Sequence, residues 1–90
     1  NDTLAIGAMM FYKENGFDIP NDIRFIGQDN LEIGTFFTPE LTSIKQNFSL
    51  MAEKVMSLFL EEQSDLKQKN INSFKREEIK SQLIERVSSL

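Results

Sequence analysis

The sequence predicts an α/β fold with parallel strand pairing, and three observations carry that expectation. Ile23 to Ile26 is a short apolar, β-branched run punctuated in front by Pro20 and Asn21 and behind by Gly27, the pattern of a strand buried in a sheet. Apolar helical stretches precede and follow it, giving the order helix, strand, strand, helix, strand, strand, and helices alternating with short buried strands favour parallel pairing. Gln28, Asp29 and Asn30 follow the glycine. In open α/β sheets ligands bind outside the carboxyl ends of the strands, so Asp29 is expected at the lip of a binding cleft.

The first helix is expected from Leu4 to Asn15, capped by Asn1, Asp2 or Thr3 and stopped by Gly16. Leu4 to Tyr12 carries no charged side chain on any face. A helix apolar all round is buried on more than one side, and a chain this small offers little to cover both, which points to an interface. After the strand, Leu31 to Phe37 is mixed, with Phe36 and Phe37 exposed or half-buried, and Pro39 marks a turn. Leu41 to Gln46 alternates as a second strand. From Asn47 or Ser49 a second helix lays Phe48, Met51, Ala52, Val55, Leu58 and Phe59 towards a core, with Glu53, Lys54 and Glu61 towards water. Glu62 to Lys75 is polar and reads as a solvated linker. Glu78 to Ser81 and Leu83 to Ser88 are two closing extended segments.

Composition excludes more than it assigns. Ninety residues make one small domain at most, with 40% apolar and 27% charged residues, as in ordinary globular proteins. A net charge of −4 without a basic run gives no footprint for nucleic acid or an anionic membrane. With neither cysteine nor histidine, disulfides, thiolate metal sites and the usual acid–base chemistry are missing, so neither a metal nor a cofactor is expected. The lack of cysteine suits a reducing cytoplasm. The longest apolar run is far short of the roughly 20 residues of a membrane span. The carboxylate pairs Glu61–Glu62 and Glu77–Glu78 lie in polar stretches, and Ser43, Ser49 and Ser57 have no histidine to activate them, so no catalytic residue is expected. A capping sequence at the very start, without a methionine, suggests that something upstream has been cut away.

The polar residues suited to a ligand stand at element ends. Asp29, Gln46 and Asn1 offer the acceptors and donors that pairs of hydroxyls require, and Phe48 could supply an apolar face. Each has a plainer reading: an Asx turn for Asp29, loop backbone for Gln46, a helix cap for Asn1, the first core residue of a helix for Phe48.

Five short motifs come in register: Asn1-Asp2-x-x-Ala5-x-Gly7-Ala8, Gly16-x-x-x-Pro20-x-Asp22-Ile23, Gly27-x-Asp29-Asn30, Pro39-x-Leu41-Thr42-x-Ile44-x-Gln46 and Leu83-Ile84-x-Arg86-x-Ser88. Together they resemble the C-terminal part of the effector-binding domain of lactose-repressor-type (LacI/GalR) transcription regulators, over nearly the whole chain. The resemblance implies a fragment of a periplasmic-binding-protein-like two-lobe fold with a mostly parallel sheet. Residues 1–41 would belong to the C-terminal lobe, 42–62 to a hinge crossing and a helix of the N-terminal lobe, 63–75 to a polar linker, and 76–90 to returning strands. It places effector contacts on Asn1, Asp29, Gln46, Phe48 and Met51, and a dimer surface on Ile6, Met9, Met10, Phe36 and Phe37. The partners it implies are a sugar-like effector, a second copy of the chain, and DNA only through a helix-turn-helix outside these residues. Gln28 stands where the family usually carries an aromatic, so a differently shaped ligand is expected. A periplasmic sugar-binding protein of a transporter is the rival reading of the same fold.

Overall fold

A computed structural model describes residues 1–67 and 76–90, the side chains of 65–67 aside. The chain forms two compact units, Asn1–Gln46 with Ser81–Leu90, and Asn47–Lys80.

In the first unit, helix α1 runs from Asp2 to Glu14. The side-chain oxygen of Asn1 accepts the Leu4 N–H at 3.0 Å, the cap expected of an asparagine before an apolar run. At the other end Gly16 takes a φ of +84°. Its N–H donates to the Lys13 carbonyl at 3.1 Å and that of Phe17 to the Tyr12 carbonyl at 3.0 Å, so the left-handed glycine lets two orphan carbonyls be satisfied. Ile6 and Met9 turn inward and meet Ile19 and Leu41 in the core, with Ile23, Phe25 and Phe37 packed around them. Tyr12 touches Phe17 and Phe25 at ring-centroid distances of 5.2 and 5.8 Å.

Strand β1 is Ile26–Gln28, two to three residues later than the apolar run suggests. Ile23 and Phe25 do pack on the core, but as irregular chain leading into the strand, and Ile26 is exposed. Gly27 therefore sits inside the strand and does not end it. Strand β2 is Thr42–Lys45, parallel to β1 with Ile26 opposite Thr42. Between them lies a four-residue helix, α2 (Ile33–Phe36), in the stretch that sequence left mixed. Leu41, Thr42 and Ser43 are all buried, so β2 opens buried on both faces and does not alternate there. Strand β3, Gln82–Ile84, pairs antiparallel with β2, and a 3₁₀ turn at Val87–Ser89 follows. Of the two closing strands expected, Glu78–Ser81 is not one.

The sheet, in the order β1-β2-β3, thus has one parallel and one antiparallel pair and is not mostly parallel. The cause lies in connectivity. Residues 29–41 cross back before β2, whereas the chain leaves the sheet after Lys45 and returns opposite Lys45 at Gln82, which forces the reverse direction.

The second unit contains helix α3, Phe48–Lys67. Asn47 caps it, its side-chain oxygen accepting the Leu50 N–H at 3.0 Å. The helix continues through Glu62–Lys67, so that part of the expected linker is helical; residues 68–75 of it lie outside the described residues. The stripe predicted to face a core is largely open, with Phe48, Val55 and Phe59 exposed and only Met51 and Leu58 half-buried. Lys54, expected in water, is half-buried and reaches Glu77 at 3.9 Å.

Candidate functional site

The carboxyl ends of the parallel pair carry the polar residues singled out by sequence. Asp29 follows β1 and Gln46 follows β2. The Asp29 N–H donates to the Ile44 carbonyl at 2.8 Å, carrying the strand pairing one residue further, and the Gln46 side-chain amide donates to Asp29 Oδ1 at 3.3 Å. The carboxylate of Asp29 thus faces the end of the neighbouring strand. Asp29 and Asn30 both have positive φ, +97° and +53°. Non-glycine residues enter that region seldom, and Asp and Asn most readily, so the polarity of this turn and its backbone are consistent.

A second layer fixes the turn from beneath. Asp2, the first residue of α1, is fully buried. Its Oδ2 accepts the Leu31 N–H at 2.6 Å and its Oδ1 accepts the Ser43 hydroxyl at 2.7 Å. Ser43 Oγ in turn accepts the Asn30 N–H at 2.9 Å. The room for this carboxylate comes from Gly27, since a Cβ there would overlap Asp2 Oδ1. The position also suits an anion, because the free N–H groups of a helix start carry partial positive charge. Arg86 completes the frame from the closing segment, its guanidinium donating to Asn30 Oδ1 at 2.8 Å and to the Leu41 carbonyl at 2.7 Å.

At the opposite ends of the same strands Ser88 does comparable work. Its Oγ donates to the Phe25 carbonyl at 2.7 Å and accepts the Thr42 N–H at 2.8 Å, fastening the starts of β1 and β2 together.

Asn1, Asp29 and Gln46 therefore all belong to the first unit. Asp29 and Gln46 touch, and Asn1 stands at the α1 end that Asp2 anchors to the turn. Asn1 is exposed, and its cap occupies only the side-chain oxygen. Phe48 and Met51 lie on α3 in the second unit, Phe48 exposed and Met51 half-buried. Among the residues expected at a dimer surface, Ile6 (7% exposed) and Met9 (0%) are core of this chain, a correction with a simple cause: α1 turns them onto Ile19 and Leu41. Met10 (49%) and Phe36 (76%) are exposed, and Phe37 is half-buried under Lys13, whose ammonium lies 5.4 Å from its ring centroid.

Sequence reasoning missed Asp2, Ser43 and Arg86 as parts of this arrangement. An acidic residue in a first helical turn is usually solvated, and nothing in the spacing marks this one as buried. The local signal available was Gly27, a glycine inside a strand, which often marks close approach of another group. Among the described residues no cluster of His, Cys, Asp or Glu is placed to hold a metal ion, and no helix is long and apolar enough to cross a membrane.

Residues 1–89 match the family described as periplasmic binding protein-like domain. Among curated proteins the chain is similar to the HTH-type transcriptional repressor PurR of Vibrio campbellii, 38% identical over 65 residues, which are 72% of this chain and 20% of that protein. It is similarly related to PurR of Actinobacillus pleuropneumoniae, 38% identical over 61 residues, 68% of this chain and 18% of that protein. Among solved structures it resembles the Lac repressor dimer bound to operator and the anti-inducer ONPF, with a TM-score of 0.77 and 30% identity, over 100% of this chain and 30% of that one. It also resembles a periplasmic binding protein/LacI transcriptional regulator from Alkaliphilus metalliredigens complexed with D-xylulofuranose, with a TM-score of 0.73 and 28% identity, over 100% of this chain and 32% of that one. The chain spans about a fifth of the length of the curated relatives it matches (20% and 18%). It belongs to the family of periplasmic binding protein-like domains, with relatives among LacI- and PurR-type transcriptional repressors.

Proposed function

We propose that these residues are the C-terminal part of the effector-binding domain of a dimeric, cytoplasmic transcription regulator. The observation that carries the reading is the Asp29–Gln46 pair at the carboxyl edge of the parallel strands, 3.3 Å apart and backed by a buried hydrogen-bonded frame. A bond that long is readily exchanged for bonds to a ligand hydroxyl. Asp29 would accept from hydroxyls, and Gln46 and the Asn1 amide would bridge to others, which suits a neutral, sugar-like molecule. In this reading residues 1–41 belong to a C-terminal lobe, residues 42–62 to a hinge crossing and a helix of an N-terminal lobe, and residues 76–90 to the returning segment. DNA would be contacted by a helix-turn-helix elsewhere in the polypeptide, as the names of the PurR relatives suggest.

The effector acts by population shift. It changes operator affinity only by the difference between its affinities for the two arrangements of the regulator, so losing a contact made in one of them weakens the response. Replacing Asp29 by Ala in the full-length regulator is expected to abolish effector-dependent change in operator binding, at a stability cost of about 1–2 kcal/mol for an alanine held at φ +97°. Normal response of that variant would remove Asp29 from the site. The dimer surface, in this reading, includes the exposed side chains of Met10 and Phe36. A periplasmic binding protein is the competing assignment. A monomeric full-length protein that binds sugar without binding DNA would establish it.

A further inference from the structure

We propose that Asp2 is the positioning residue of the effector edge: its buried carboxylate, without touching ligand, sets the turn that presents Asp29. This rests on the reading of Asp29 and Gln46 as effector-facing. Three features of the geometry converge on it. Asp2 is fully buried, yet both its oxygens are used, one by the Leu31 N–H and one by the Ser43 hydroxyl. The Ser43 oxygen passes the constraint on to the Asn30 N–H. Asn30 and Leu31 are the two residues directly after Asp29, and Asp29 and Asn30 are consecutive non-glycine residues at positive φ. Such a backbone persists only when its surroundings over-determine it.

The chemistry calls for an acceptor on both sides at this point. Both groups that meet Asp2 arrive as donors, the Leu31 N–H by necessity and the Ser43 hydroxyl while its oxygen accepts from Asn30. A carboxylate accepts on both oxygens. An asparagine of the same shape must turn its NH₂ towards one of the two, so Asp2→Asn keeps the volume and leaves neither donor a charged acceptor. Arg86 grips the Asn30 side chain from the closing segment, but the backbone N–H groups of Asn30 and Leu31 are held by Ser43 and Asp2.

The test is hydrogen exchange at single-amide resolution, together with NMR of the Gln46 side-chain amide, on the full-length protein without ligand. Asp2→Asn is expected to speed exchange at Asn30 and Leu31 on the order of 10- to 100-fold, the range for losing a hydrogen bond to a charged group. It should also shift the two Gln46 side-chain proton signals to the positions of a free amide. Ser43→Ala, the second variant, should speed exchange at Asn30 more than at Leu31, and it carries the test alone if Asp2→Asn does not fold. The control is Met9→Ala, which destabilises the same unit through the core. A purely structural Asp2 would resemble it, with exchange raised across the whole unit and the Gln46 signals unchanged. That pattern, or unchanged exchange at Asn30 and Leu31 in the folded variants, overturns the proposal while leaving the reading of Asp29 intact. A normal effector response in Asp29→Ala removes the effector reading while leaving the exchange result in place.

Discussion

Replacing Gly27 by Ala should be among the most damaging single-methyl additions in the first unit. The new Cβ would overlap Asp2 Oδ1 and stand 2.9 Å from Leu41 Cδ2. Leu41 is fully buried in the core and has little room to retreat. The carboxylate must therefore move, and it cannot move without lengthening its bonds to the Leu31 N–H and the Ser43 hydroxyl. Overpacking of a tight site costs about 1–3 kcal/mol. Each bond to a charged group is worth about 1.5–3 kcal/mol when lost with burial maintained, although a shifted Asp2 would recover part of this by partial hydration. The expected total is about 3–5 kcal/mol, against a domain stability of about 5–15 kcal/mol.

Urea denaturation of the full-length protein, followed by a signal from this unit, reads the loss as a lower midpoint at nearly constant slope. The mechanism has a sharper signature than its size. If the clash is with Asp2, the alanine should cost less once Asp2 is itself Ala, with a coupling of about 1–3 kcal/mol between the two substitutions. Additive effects, or a loss for Gly27→Ala alone under about 0.5 kcal/mol, would refute the claim that the carboxylate occupies the space a side chain would need.

Other substitutions probe other joints. Ser88→Ala leaves the Phe25 carbonyl and the Thr42 N–H without their shared hydroxyl, and should cost about 1–3 kcal/mol in the same denaturation assay, with effector response retained. Gly16→Ala puts a Cβ on a residue at φ +84° and should cost about 1 kcal/mol, seen as a lower thermal midpoint. The double variant Met10→Lys with Phe36→Lys changes only exposed side chains of this chain, so it should leave secondary structure intact. If their face is the dimer surface, the variant should sediment as a monomer at micromolar concentration; an unchanged dimer would place the interface elsewhere.

The parts of the fold legible from sequence were those set by local chemistry. Asn1, Asp2 or Thr3 announced a cap, Gly16 a left-handed stop, and the apolar period of Phe48 to Phe59 a helix; the Asn1 side chain satisfies a nearby N–H, and the φ of Gly16 lets two nearby carbonyls be satisfied. Strand limits were not legible, because Gly27 breaks a strand in isolation but is required inside one that lies against a carboxylate. The antiparallel β3 depends on where the chain re-enters the sheet, which no local pattern encodes. For the site, Asp29 and Gln46 stood out as polar residues at strand ends, and their contact follows from parallel pairing of those strands. Asp2 did not stand out: its role arises from contacts 29 and 41 residues away along the chain.

Helix α1 shows why an apolar run cannot by itself be assigned to an interface. Asp2, Ile6 and Met9 follow the i, i+4, i+7 spacing of one face and are the residues it buries. Leu4, Gly7 and Phe11, at i, i+3 and i+7, form the other face and are exposed, Leu4 by 73% and Phe11 by 60%. Between Leu4 and Tyr12 the lack of charge is thus shared by two faces with different duties. The buried one is needed whatever the partner, since it joins the core and delivers Asp2 to the turn after β1. Only the exposed one can answer to a second molecule, so an interface argument has to rest on Leu4, Met10, Phe11 and Phe36 and gains nothing from Ile6 or Met9. It also follows that variants at Ile6 or Met9 which impair effector response would report loss of packing beneath Asp2, and would say nothing about dimerisation.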